Sequence, residues 1–166
     1  MSTSSEQVIS ELVEQLAQAL LAKKLKLATA ESCTGGWIAQ SLTALPGSSD
    51  WFDSGFVTYS NAAKQRMLGV PGDYFLPDGP GAVSEETVRA MTAGATANSL
   101  ANVAVAVSGI AGPDGGTDDK PVGTVWIAWQ WEEKARAQPF QFVGDRKAVR
   151  QATVEAALRG VLALID

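Results

Sequence analysis

Five consecutive apolar residues, Val103-Ala-Val-Ala-Val107, constrain the fold more than any other stretch of the chain. A strand with one wet face alternates apolar and polar residues, so an unbroken apolar run of this length reads as a strand buried on both faces. Burial on both faces requires a layer above the sheet and another below it. The flanking sequence supplies both. Val8, Ile9, Leu12, Val13, Leu16 and Leu20 recur on one helical face behind Ser4 or Ser5 as cap. Residues 25–29 alternate as a strand, and an apolar helical pattern follows through Trp37, Ile38, Ser41 and Leu45. Residues 55–59 read as a short strand, with Asn61 as the cap of a helix that carries Lys64 and Met67. After a Pro- and Gly-rich loop over 69–81, Ser84-Glu-Glu86 opens a helix running to about Leu100. Residues 123–131 and 136–143 form a hairpin around Glu132-Glu-Lys134, and a last helix follows from Asp145. The order helix, strand, helix, strand, helix, helix, strand, strand, strand, helix predicts an α/β fold, a three-layer α/β/α sandwich with a central mixed sheet. At 166 residues the chain fits one domain, spanning 1–166.

The absence of histidine narrows the chemistry, because imidazole is the commonest general base and transition-metal ligand. Ser-His-Asp triads, Cys-His dyads and His-containing zinc sites are excluded. A formal net charge of −5 argues against nucleic acid, whose affinity comes from massed Lys and Arg. The single cysteine, Cys33, has no partner for an internal bridge. Met1-Ser-Thr-Ser-Ser-Glu6 lacks a basic segment leading into an apolar one, and no apolar stretch reaches about 18 residues. A cytoplasmic chain without membrane contact is expected. The glycines Gly109, Gly112, Gly115 and Gly116 follow a strand but precede another strand, unlike a dinucleotide fingerprint, and no Walker A lysine motif occurs.

In open α/β sheets the ligand crevice lies beyond the carboxyl ends of strands. Three loops are placed to meet there: 31–36, 59–64 and 108–116. The first offers the Ser32 hydroxyl and then the amides of a helix start, with Gly35 and Gly36 allowing close approach of a phosphate or an oxyanion. The alternative is that Ser32 or Thr34 merely caps the helix. A hydrolytic serine here needs a base other than histidine, and Lys64 with Tyr59 is the best pair. A free lysine titrates near 10.4, leaving only a few molecules in about 10⁴ neutral at pH 7, so burial or nearby cations must lower it. Taken singly, Lys64 reads as a solvated surface cation and Tyr59 as a strand packing residue. Cys33 is a rival nucleophile and Glu31 a rival base. Asp145-Arg-Lys-Ala-Val-Arg150 places three cations at a helix start whose dipole disfavours them, which suits Arg146 as a phosphate clamp. A solvated basic edge capped by Asp145 is the other reading. Residues 110–122 are too long and too rich in Gly, Pro and Asp for a plain connection and are expected to form a functional loop.

Together, Ala30-Glu-Ser-Cys-Thr-Gly-Gly36, Gly55-Phe-Val-Thr-Tyr-Ser-Asn61 with Lys64, Ser108-Gly-Ile-Ala-Gly-Pro-Asp-Gly-Gly116 and Gly144-Asp-Arg146 resemble the CinA C-terminal domain family in its stand-alone form, the nicotinamide-nucleotide amidohydrolases. The resemblance runs from about Ser5 to Leu164. It implies hydrolysis of the carboxamide of nicotinamide mononucleotide to nicotinic acid mononucleotide and ammonia, in pyridine-nucleotide salvage, with no metal or other cofactor. It also implies Ser32 as nucleophile, Lys64 as the group that takes and returns the proton, and Tyr59 as an aid to that transfer or to the orientation of the pair. Amides of the Ser32 turn, with one from Gly109 or Ile110, would hold the oxyanion. The phosphate would lie near Arg146 or near the Thr34-Gly35-Gly36 amides, and Ser48 and Ser108 complete the implied substrate-binding set. Family analogy further implies a homodimer or higher homo-oligomer. Two rivals stay open: a non-catalytic nucleotide-binding regulator that keeps the pocket, and an amidohydrolase of another substrate, with Trp37, Phe56 or Tyr74 stacked on its ring.

Overall fold

The computed structural model describes residues 4–166, so the first three positions of the expected 1–166 domain lie outside the described residues. Its elements are α1 (Ser5–Lys23), β1 (Leu27–Glu31), α2 (Trp37–Thr43), β2 (Phe52–Val57), α3 (Asn61–Leu68), α4 (Glu85–Ala97), β3 (Val103–Gly109), β4 (Thr124–Trp131), β5 (Lys134–Gln141) and α5 (Arg146–Ile165). This is the expected order. The sheet runs β2-β1-β3-β4-β5, with the first three strands parallel and the last two antiparallel to their neighbours. The carboxyl ends of β2, β1 and β3 therefore open side by side at one edge.

The apolar run at β3 is buried on both faces as expected, and its residue sizes alternate in a way that sets the two layers. Val103, Val105 and Val107 pack into the layer of α1, α2 and α5, whereas Ala104 and Ala106 face the layer that holds Val88, Met91 and Ala95 of α4. Small side chains on that face let α4 lie close to the sheet. On the opposite face Trp129 of β4 lies over Gly160 of α5, and its indole Nε1 donates to the Ala157 carbonyl at 2.9 Å. A Cβ at Gly160 would sit about 2.0 Å from the ring. In an open helix Gly→Ala gains about 1 kcal/mol. Here Gly160→Ala is expected to cost about 1–3 kcal/mol through overpacking, read by urea denaturation. A stabilised variant would contradict the packing.

Boundaries differ from the sequence expectation where local hydrogen bonding overrides pattern. β1 starts at Leu27 rather than at residue 25, because Lys24 takes a left-handed conformation (φ 58°) and the Leu25 amide closes α1 on the Leu20 carbonyl at 2.9 Å. β2 spans 52–57 rather than 55–59, since β1 ends at Glu31 and offers no further ladder partner. Ser60, not Asn61, caps α3, its Oγ accepting from the Ala63 amide at 3.0 Å. α4 ends at Ala97 rather than near Leu100, and β5 begins at Lys134 rather than residue 136, after a turn in which Glu132 is left-handed (φ 54°). Ser4, Ser84 and Asp145 cap α1, α4 and α5 as expected. No helix among the described residues is long and apolar enough to cross a membrane.

Candidate active site

Ser32 follows β1 directly, and its amide extends the sheet by donating to the Val107 carbonyl of β3 at 3.1 Å. The chain then reverses into α2 through Gly35 (φ 62°) and Gly36 (φ 104°), conformations that favour glycine. α2 has no cap from its own N-cap residue. Glu31 takes that role, its buried carboxylate accepting from Thr34 Oγ1 at 2.6 Å and from the Ile38 and Ala39 amides at 2.8 and 3.0 Å. So engaged, and behind the turn rather than in the cleft, Glu31 is a structural cap and not a free base. Cys33 is also buried, and that burial pushes its thiol up to about 11. A thiol that stays protonated at neutral pH is a poor nucleophile.

Lys64, read singly as a surface cation, is instead only 1% exposed. It projects from α3 so that Nζ lies 2.9 Å from Ser32 Oγ, 2.9 Å from the Thr58 carbonyl and 3.0 Å from the Tyr59 carbonyl. Burial lowers its ammonium from the usual 10.5 to about 8. About one molecule in ten is then neutral at pH 7. A neutral amine has two N–H donors and one lone pair. With both hydrogens directed to the two carbonyls, the lone pair faces the Ser32 hydroxyl, the arrangement a general base requires.

Tyr59 contributes its backbone to this arrangement and its phenol to another. The hydroxyl receives Arg146 Nη2 at 3.1 Å, while Arg146 Nη1 donates to the Gly112 carbonyl at 2.8 Å, so Arg146 spans the mouth between two loops. Beneath it lies a cavity of about 190 Å³ lined by Ser32, Tyr59, Lys64, Ser108, Gly109 and Arg146 among the expected residues. Cys33, the rival nucleophile, lines it too, and Asn61, Ala82, Val83 and Ala111, none of them singled out as a site residue in the sequence, complete the wall. Asn61 lay inside an expected loop, whereas Ala82 and Val83 carry no chemical signal; the chain beside them is held where Ser84 Oγ and Thr87 Oγ1 donate to the Gly81 carbonyl at 2.8 and 2.7 Å.

Other expected site residues stand elsewhere. The Thr34 hydroxyl is engaged by Glu31, the Gly35 amide donates to Ser32 O at 3.0 Å, and neither Gly35 nor Gly36 lines the cavity. The Ile110 amide donates to Thr124 O at 2.9 Å and is not available to an oxyanion. Ser48 sits in a 3-10 turn (Ser48–Asp50) ahead of β2, at the amino end of a strand whose carboxyl end faces the cleft. The length of a six-residue strand, about 20 Å, separates the two ends. Phe56 and Tyr74 pack against the α4-side core. Trp37 faces a separate groove of about 420 Å³ that contains none of the dyad residues. Among the described residues no group of three or more Cys, Asp or Glu side chains is arranged to hold a metal ion.

The family model for the CinA C-terminal domain matches residues 9–165. The chain belongs to the CinA C-terminal domain family. It is 54% identical over 156 residues to nicotinamide-nucleotide amidohydrolase PncC of Pseudomonas putida, covering 94% of this chain and 96% of that one. It is 49% identical over 160 residues to the protein of the same name from Escherichia coli (strain K12), with 95% and 93% covered. Among solved structures, the competence/damage inducible protein CihA from Agrobacterium tumefaciens superposes with a TM-score of 0.92 at 41% identity, over 100% of this chain and 99% of that chain. The mixed five-stranded sheet with helices around it is thus shared with a solved protein of this kind.

Proposed function

We propose that this chain is a single-domain serine amidohydrolase that converts nicotinamide mononucleotide and water to nicotinic acid mononucleotide and ammonia. The observation that carries the reading is the buried Lys64 amine 2.9 Å from Ser32 Oγ, in a chain similar over nearly its full length to two enzymes named nicotinamide-nucleotide amidohydrolase. Ser32 Oγ attacks the carboxamide carbon as its proton passes to Lys64 Nζ. The tetrahedral intermediate collapses when Lys64 returns that proton to the leaving nitrogen, releasing ammonia and leaving the acyl ester on Ser32. Water then gives a proton to Lys64, attacks the ester carbon, and the proton returns to Ser32 Oγ. The cavity is smaller than the roughly 300 Å³ or more common for drug-sized ligands. It suits the pyridine carboxamide, with ribose and phosphate directed outward to the exposed Arg146. A place in pyridine-nucleotide salvage, a cytoplasmic location and a homo-oligomeric state belong to the same proposal.

The deciding assay measures ammonia and nicotinic acid mononucleotide released by purified, chelator-treated protein beside Ser32→Ala. Activity that survives chelation and disappears with the serine supports the proposal. Nucleotide binding without turnover in the unsubstituted protein would replace it with the regulatory binder.

A further inference from the structure

Among the residues lining the Ser32–Lys64 cavity, Ser108 carries a hydroxyl that the fold does not use. The residue is only 1% exposed, yet its Oγ has no hydrogen-bond partner among the described residues and the residue borders the cavity. Buried polar groups are ordinarily bonded, so an exception that faces a cavity calls for a reason.

Register fixes where that hydroxyl points. Ala28 and Ala30 of β1 and Ala104 and Ala106 of β3 face the α4 layer. Side chains alternate along a strand, so Ser32 and Ser108, each two residues further on, face the same way. Lys64 reaches Ser32 from α3, whose Leu68 packs in that layer. β1 and β3 run in register from Leu27 opposite Val103 to Glu31 opposite Val107, and the Ser32 amide bond to the Val107 carbonyl carries the ladder one step on. Ser32 and Ser108 are therefore lateral neighbours on strands spaced about 4.8 Å apart, and both line the cavity.

The two neighbours of Ser32 lie on opposite sides of it. β1 sits between β2 and β3, and Lys64 Nζ is held by the Thr58 and Tyr59 carbonyls that follow β2, whereas Ser108 belongs to β3. A carboxamide carbon bonded to Ser32 Oγ carries a nitrogen, a ring and an oxygen. The nitrogen must turn to Lys64 to receive its proton, and the ring points to the mouth at Arg146. The oxygen is left facing β3. The Gly109 amide adds a donor on that side: odd residues of β3 aim N–H groups at β1, as Val103 does toward the Lys26 carbonyl at 3.0 Å. The Ser32 carbonyl, next in that ladder, instead receives the Gly35 amide, so the Gly109 N–H has no acceptor among the described residues, and Gly109 too lines the cavity.

We propose that Ser108 is a catalytic residue whose hydroxyl donates a hydrogen bond to the oxyanion formed when Ser32 attacks, with the Gly109 N–H beside it. A serine hydrogen rotates about its C–O bond, so an unengaged hydroxyl turns to the developing charge without breaking another bond. Removing one donor of this kind typically costs about 10²- to 10³-fold in kcat. Attack on the carboxamide and attack of water on the ester both pass through such an oxyanion, so kcat falls whichever step is slow. The inference rests on the serine amidohydrolase reading and gives Ser108 a part in the transition state rather than in binding alone.

The test compares Ser108→Ala and Ser108→Thr with the unsubstituted protein in steady-state hydrolysis of nicotinamide mononucleotide and in urea denaturation. Ser108→Ala is expected to lower kcat by about 10²-fold, with KM within about threefold and the pH midpoint of kcat unmoved. Its urea midpoint should be unchanged or higher, because the hydroxyl it loses bonds to nothing in the fold. Ser108→Thr, which keeps the hydroxyl, should recover part of the rate. The inference is overturned if Ser108→Ala keeps kcat within about twofold, if its loss is all in KM, if the pH midpoint shifts, or if threonine does no better than alanine. A lowered urea midpoint, or an alanine variant that fails to fold, overturns it as well, since the hydroxyl would then be holding the fold. An inactive unsubstituted protein, or an active Ser32→Ala, would instead bring down the functional reading beneath it.

Discussion

Ser32→Ala is expected to lower kcat for carboxamide hydrolysis by about 10⁴- to 10⁶-fold while leaving nucleotide affinity within a few fold, measured as ammonia release and by titration calorimetry. The hydroxyl makes no contact that holds the fold: its bonds are to Lys64 Nζ at 2.9 Å and, more weakly, to the Tyr59 carbonyl at 3.4 Å. Lys64→Met should lose as much, since an unactivated serine is nearly as inert as none. Groups that act as a unit are non-additive, so the double variant should be no slower than either single one. Multiplicative losses would mean that the two residues serve different steps. The same pairing sets the pH dependence: kcat/KM should rise about tenfold per pH unit and level off near 8, the value to which burial lowers the Lys64 ammonium.

The dyad is also expected to be costly to stability, in a pH window set by Lys64. Its ammonium titrates at about 8 in the folded protein against an ordinary 10.5. Between those values the unfolded chain binds the additional proton, so this group's contribution rises with pH from about 8 to 10.5, and below 8 the buried charge disfavours folding. The gap corresponds to about 3 kcal/mol. Lys64→Met keeps the aliphatic stem and sheds the charge, although it leaves the Thr58 and Tyr59 carbonyls without their donor, at about 1–3 kcal/mol. The inactive variant should therefore match or exceed the unsubstituted protein at pH 7 and fall below it by pH 10.5. Urea denaturation of both proteins at the two pH values reads the crossing, and a difference that does not change with pH would refute the lowered titration.

Much of the fold was legible because its signals are local. Helical spacing in 8–20, the caps Ser4, Ser84 and Asp145, and the apolar run at 103–107 each depend on neighbours a few residues away, and each appears where expected. The errors are local too. Leu25 alternates like a strand residue but is drawn into the cap of α1, and Asn61 yields the cap to Ser60 because only Ser60 has the extended backbone a cap needs. The site was legible as motif and much less as role. Ser32, Tyr59, Lys64, Ser108, Gly109 and Arg146 do meet at one cavity. Ser48 does not, because motif position along the chain carries no information about which end of the sheet a turn occupies.

By itself, then, the amino-acid sequence determined the order of the elements, the double burial of β3 and the exclusion of imidazole chemistry, all of which follow from residue type and short-range periodicity. Only the tertiary structure decided what the polar residues do. Lys64 is a candidate base because side chains far from it in sequence exclude water from its amine, and it meets a serine 32 positions away. Glu31 is a cap because α2 folds back onto it, and Arg150 reaches a carbonyl 116 residues earlier. Desolvation and hydrogen-bond partnership are properties of the packed surroundings, and those surroundings come from all parts of the chain at once.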